Sequence, residues 1–171
     1  MQGTEMLTYS INKRLFNSFM QFTHWLCESG ARHRWSVPVM RALGGLTLRV
    51  KSGQKKAQIE DAAGEWQRMF PSKKMVPITR IEDSTVFAEI RSPCPFRGSK
   101  NVDGCYRMME YDRKLMEAIG AEFVVLQSQA EENTEYCRVA ITRESKSRKD
   151  LMPAHIRVQD MTRKSGTASS R

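Results

Sequence analysis

Val76-Pro-Ile-Thr-Arg-Ile-Glu-Asp-Ser-Thr-Val-Phe-Ala-Glu-Ile-Arg91 is where the hydrophobic period of this chain changes. Two runs rich in β-branched and apolar residues, Val76–Ile81 and Thr85–Arg91, flank Glu82-Asp-Ser, so the segment reads as two strands joined by a hairpin turn. Before it the period is helical. Met6, Leu7, Ile11, Leu15, Phe16, Phe19, Phe22, Trp25 and Leu26 recur at three- and four-residue steps and predict an amphipathic helix ending near Ser29-Gly30. A short helix follows around Pro38–Leu43, ahead of Gly44-Gly45 and a basic turn at Lys51. A third, from about Gln54 to Phe70, buries Ile59, Ala62, Ala63, Trp66 and Met69 and is stopped by Pro71.

After the hairpin, a loop around Cys94 leads to a helix from about Val102 to Ile119, closed by Gly120. Glu122–Gln127 and Thr134–Ile141 then read as a second strand pair, joined through the polar turn at Ala130–Asn133. The expected fold is α+β, an antiparallel sheet with helices packed on one face. A single domain over residues 1–142 has a helical part (6–70) and a sheet-bearing part (75–142), and residues 143–171 form a basic, solvated tail.

The chain has 171 residues, 40% of them apolar, enough to bury one core. Its 28 Lys and Arg against 19 Asp and Glu give a net charge of +9, which favours anionic partners without choosing among nucleic acid, acidic membrane and small carboxylates. No apolar run approaches the ~20 residues needed to span a bilayer, and the polar start Met1-Gln-Gly-Thr-Glu5 lacks a signal-peptide core. The expectation is a cytoplasmic protein whose cysteines are thiols or metal ligands rather than disulfides.

Chemistry concentrates in Ser92-Pro-Cys-Pro-Phe-Arg-Gly-Ser-Lys-Asn-Val-Asp-Gly-Cys105-Tyr-Arg107 and in Tyr136-Cys137-Arg138. Cys105 falls in the first turn of a helix, where backbone N–H groups and the helix dipole favour a thiolate, and Arg97 or Arg107 adds positive charge. Cys94 lies between two prolines on a turn-rich loop, and antiparallel pairing brings Cys137 towards it. Cys94, Cys105 and Cys137 are therefore candidate ligands for zinc or another thiolate-bound metal, although their spacing is not that of a zinc knuckle. Cys94-Pro95 also matches the minimal dipeptide of thiolate haem ligation, and serves equally as a loop device. Cys27 reads as packing, with His24 one turn before it.

Asp112 and Glu110 are candidate proton-transfer groups beside a Cys105 nucleophile, or else the charged side of a solvated helix. Arg97 and Arg107, with Met108 and Met109 as soft apolar walls, are candidate ligand-binding residues. A basic nucleic-acid interface would use Arg32, Arg34, Arg41, Arg49, Lys51, Lys55 and Lys56, with Trp35 for stacking, but no recognised nucleic-acid motif accompanies them. The aromatic first helix either covers a pocket or supplies a homodimer surface.

From about Trp66 to Ile141, the order strand pair, Cys-Pro, glycine-containing loop, helix-borne Cys105, Gly120, strand, acidic turn and Tyr136-Cys137-Arg138 resembles two related groups. One is the L-2-amino-thiazoline-4-carboxylic acid hydrolases, which open a cyclic amidine ring, and the other is the 4-vinyl reductase domain, a small-ligand module. The resemblance implies a cysteine-lined pocket between sheet and helix, built at Cys94, Cys105 and Cys137. Gln129 stands where such domains often carry a further cysteine, and Asn133-Thr134 where they often have Gly-Asp. The expected function is hydrolysis of a C–N bond in a small heterocycle. The alternative is a non-catalytic module that binds or senses a hydrocarbon or heterocycle.

Overall fold

The computed structural model describes residues 2–143 and 150–168, with side chains over 14–143 and 150–164. Helices α1 (Gln2–Glu28), α2 (His33–Val50) and α3 (Ile59–Met69) precede strands β1 (Ile78–Glu82) and β2 (Thr85–Ile90). Helices α4 (Val102–Met108) and α5 (Glu110–Ile119), strands β3 (Glu122–Gln127) and β4 (Cys137–Thr142), and helix α6 (Ala154–Ala168) complete the chain. The four strands form one antiparallel sheet in the order β1-β2-β4-β3. The fold is α+β, as the change of period at Val76–Arg91 predicts.

Alternation along β2 and β4 sends Val86, Ala88, Ile90, Cys137, Val139 and Ile141 into the main core with α1–α5. The opposite face is not left to solvent. Val124 and Ala140 are buried there beneath Leu151, with Phe87 and Leu126 packed around them. Leu151 belongs to the segment expected as a solvated tail. Within that segment α6 buries Ala154 in the main core, and Arg157 holds the Glu131 carboxylate at 2.7 Å. Residues 144–149 and 169–171 of the expected tail lie outside the described residues.

Three helices depart from their expected bounds for identifiable reasons. Gly44-Gly45 does not end α2. A Cβ on Gly44 would sit 2.7 Å from the Tyr111 carbonyl oxygen, so this glycine lets α2 and α5 approach closely instead of terminating a helix. The helix closes a turn later, where Ser52 adopts a positive φ of 51° and Gly53 N–H reaches the Leu48 carbonyl at 2.8 Å. Helix α3 begins at Ile59 rather than near Gln54, because the backbone ahead of it is engaged elsewhere. Lys56 N–H bonds the Ile119 carbonyl and Gln54 N–H bonds Glu65.

The single helix expected over Val102–Ile119 breaks at Met109. In an unbroken helix the Tyr106 carbonyl would accept from the Glu110 N–H. Here the Arg113 guanidinium donates to it at 2.9 Å, a side chain inserted into the helical ladder. The break sets the direction of α5 and thus of Asp112.

Candidate functional site

A cavity of about 310 Å³ lies in the helical layer, bounded by α1, α2, the end of α3, the α4–α5 junction and the end of β2. Met20, Met40, Met69, Met108 and Met109 line it together with Phe16, Phe19 and Phe70. Methionine's flexible, polarisable side chain suits an adaptable apolar wall. The expected apolar role of Met108 and Met109 therefore falls at this cavity, well supplied with methionines from other helices.

Asp112 also lines the cavity, and among the described residues it is the only acidic side chain that does. Its position follows from one helical stripe. Asp112, Leu115, Met116 and Ile119 stand at i, i+3, i+4 and i+7 on α5, and all are buried. A carboxyl on such a stripe loses its water, and burial pushes its pKa up from 3.8 to about 6. Two effects oppose burial. The Trp66 indole Nε1 donates to Asp112 Oδ1 at 2.9 Å, and the Arg113 charge is close by. Trp66 is itself fully buried, with its ring against Phe70 and Phe123.

Three of the other polar side chains of the cavity are engaged with neighbours, while Ser92 also lines it. Tyr111 donates its hydroxyl to Thr47 at 3.0 Å, and burial pushes the phenol up to about 12. Thr23 donates to the Met20 carbonyl and, at 3.7 Å, to the Met108 sulfur. Lys51 bonds the Met69 carbonyl at 2.5 Å, and burial lowers its pKa. The acidic group offered to a guest is the Asp112 carboxyl, ionised above about pH 6 and neutral below.

The cysteines gather elsewhere, behind this cavity. Cys105 and Cys137 are buried, and each thiol shifts the acidity of the other. Cys105 is the more acidic thiol. Its pKa is lowered by the Cys137 thiol, by Ser128 Oγ donating at 3.0 Å and by the Arg113 charge, against burial and the Asp112 charge. Cys137, the partner that keeps the proton, is raised well above the usual thiol value by Cys105 and by burial. The expected acidity of Cys105 is therefore present, but its causes are not Arg97 or Arg107.

Burial raises Cys94 to about 12 and Cys27 to about 11. Cys105 borders a crevice of about 10 Å³ shared with Ala154 and His155 of α6, with room for about one water molecule. Among the described residues, no group of three or more His, Cys, Asp or Glu side chains is placed to hold a metal ion. Cys94, Cys105 and Cys137 approach one another, yet they do not form the metal site expected of them.

The other candidate residues are engaged in holding the fold. Arg97 donates to the Gln129 side chain at 3.0 Å and to the Glu135 carbonyl at 2.7 Å, and Arg107 clamps the Cys27 carbonyl with two bonds. Neither faces the cavity. Glu110 pairs with Arg41 at 3.1 Å and Arg113 at 3.0 Å rather than serving Cys105. Arg41 also bonds Glu117, and Lys51 turns towards α3, so the basic residues proposed for nucleic acid are not presented as one set.

Cys94 itself does not line the methionine-rich cavity. Fully buried Phe96 anchors the Cys94 loop beside the His24 ring, and Gly98 and Lys100 N–H bond the Gln129 and Ala130 carbonyls at 2.8 Å. A scan against known protein families and searches of curated proteins and of solved structures find no match to this chain. The site must be read from its own geometry. Gln129 is the clearest example. Its Nε2 donates to the Ile90 and Ser92 carbonyls, its Oε1 accepts from Arg97, and its backbone N–H donates to Cys137 Sγ at 3.3 Å. It ties the ends of β2, the loop and β4 together with hydrogen bonds.

The sequence reading missed Met20, Met40, Ser128 and Tyr111. Trp66 was assigned only to the core, without its bond to Asp112. One signal was available: a carboxylate in phase with a buried apolar stripe needs a donor, and a buried indole N–H needs an acceptor.

Proposed function

We propose that the protein binds a small, largely apolar heterocycle carrying a basic nitrogen, with Asp112 pairing with that nitrogen inside the methionine-lined cavity. The observation that carries this reading is one buried carboxyl in a predominantly apolar, methionine- and phenylalanine-lined cavity of about 310 Å³. Apolar walls with one convergent polar group are the usual composition of a small-molecule site. A carboxylate in such surroundings favours a cation such as an amidinium, which returns two N–H donors to it. The sensing or binding role weighed from the sequence is the form this reading takes.

Benzamidine and its neutral isostere benzamide separate charge from shape. In a calorimetric titration above pH 7, benzamidine is expected to bind at least about tenfold more tightly than benzamide, a difference of ~1.4 kcal/mol. Equal affinities, or no binding of either, would remove Asp112 from recognition.

The hydrolase version of this reading is the second choice, and one observation favours it: Cys105 is the thiol with the lowered pKa. It requires the substrate to reach a sulfur that borders a crevice with room for about one water molecule. Ring opening of 2-amino-thiazoline-4-carboxylate that proceeded unchanged in Cys105→Ser would sink it.

A further inference from the structure

The outward faces of α1 and α2 reverse the usual amphipathic arrangement. Along α1 the exposed stripe runs Leu15, Ser18, Phe22, Trp25, and along α2 it runs Trp35, Pro38, Ala42, Leu46, Val50. Leu15 is 63% exposed, Trp25 55%, Trp35 71% and Val50 75%, although each helix also buries apolar residues on its inner side. A water-facing stripe at helical period on two consecutive helices is more than the scattered apolar exposure normal for a protein surface.

The same segment is strongly basic. Residues 14–57 contain Arg14, Arg32, Arg34, Arg41, Arg49, Lys51, Lys55 and Lys56 against the single acid Glu28. Arg41 is paired with Glu110 and Glu117 and Lys51 turns to the Met69 carbonyl, so the charge this face presents comes from the other arginines and lysines of the segment. Arg14, Arg34 and Arg49 are exposed on the two helices, and the Arg32 guanidinium lies 4.7 Å from the centre of the Trp25 ring, joining the charge to the aromatic stripe.

We propose that this face of α1 and α2 docks on an anionic lipid surface. Tryptophan, phenylalanine and aliphatic side chains insert at the headgroup boundary while arginine and lysine meet the acidic headgroups. The attachment is peripheral, since no helix among the described residues is long and apolar enough to cross a membrane. Two other occupants fit less well. Leu15, Leu46 and Val50 offer no aromatic face for a nucleic-acid base to stack on. A second copy meeting this face with its own would bring two strongly positive surfaces together.

Co-flotation of the full chain with phosphatidylserine/phosphatidylcholine vesicles, and with phosphatidylcholine alone, tests this. The protein is expected to partition at least about tenfold more strongly onto the anionic vesicles, less so as salt rises, with a blue shift in tryptophan emission. Trp25→Ser/Trp35→Ser/Leu46→Ser changes only exposed side chains, and it is expected to lose at least about tenfold in partition while its circular dichroism is unchanged. Equal partition onto both vesicle types, or full partition by the variant, overturns the proposal. So does tight binding of polyuridylate that Leu46→Ser/Val50→Ser leaves intact, or a dimer in light scattering that the triple variant dissolves.

Discussion

Asp112→Asn is expected to make the protein more stable near pH 7.5, by up to ~3 kcal/mol, while removing its preference for benzamidine over benzamide. The stability gain follows from the direction of the carboxyl's shift. Folding raises its pKa from 3.8 to about 6, so the folded state holds the proton more firmly than the unfolded chain does. Below the unfolded value both states are neutral and ionisation costs nothing. As the pH rises towards 6 the unfolded chain ionises first, and stability falls until the folded carboxyl has also ionised. Asparagine never carries the charge, and its side-chain oxygen still accepts the Trp66 N–H.

The gap between variant and wild type in urea unfolding should therefore be small near pH 4 and full near pH 7.5. A gap of the same size at both, or a variant less stable at the higher pH, would mean that burial does not disfavour the Asp112 carboxylate. Benzamidine affinity in the wild type should rise as the pH passes through about 6, because the carboxylate that pairs with the cation forms there. A site that is costly to the fold and useful to a guest is the signature of a functional charge rather than a structural one.

Trp66→Ala is expected to lose ~4 kcal/mol in urea unfolding, near the top of what one core substitution costs. The indole is fully buried, and its ring touches both Phe70 and Phe123, so truncation opens space between α3, α5 and the sheet that backbone on three sides cannot close. It also strips Asp112 of its donor. Against a total stability of about 5–15 kcal/mol for domains of this kind, the loss is a large fraction of the whole. Trp66→Phe separates the two roles. It keeps most of the ring and removes the N–H, so it should cost ~2 kcal/mol and move the pH dependence at Asp112 further upward. An alanine variant that lost under ~1 kcal/mol would show that Trp66 does not seat the core.

The fold was legible because it rests on local pattern. The change of period at Val76–Arg91, the Asp83 turn with its φ of 48° and the left-handed Gly120 at 99° all follow from residue types at fixed offsets. The length of α2 was not legible, since a glycine that ends a helix and one that admits a neighbouring helix look alike in sequence, and Tyr111, the neighbour of Gly44, is 67 residues away. The cavity was not where the sequence placed a site, since Asp112, Met108 and Met109 were read as neighbours of Cys105 and none of the cysteines lines it.

The cysteines drew attention by spacing, but three of the four fill the core, as free cysteine commonly does. Arg97 and Arg107 were read as free positive charges because sequence does not reveal which backbone carbonyls lie unpaired nearby. Both satisfy carbonyls at element ends, the C-terminus of α1 in the case of Arg107.

Ligand entry is tested most directly by the methyl resonances of the eleven methionines in protein labelled with carbon-13 at the methyl group, followed during addition of benzamidine. Met20, Met40, Met69, Met108 and Met109 line the cavity, while Met116 is fully buried outside it and Met152 and Met161 are exposed. Shifts confined to the five lining methyls, saturating together and abolished in Asp112→Asn, are the predicted result. Shifts at Met152 or Met161 with the five unmoved would contradict binding in this cavity.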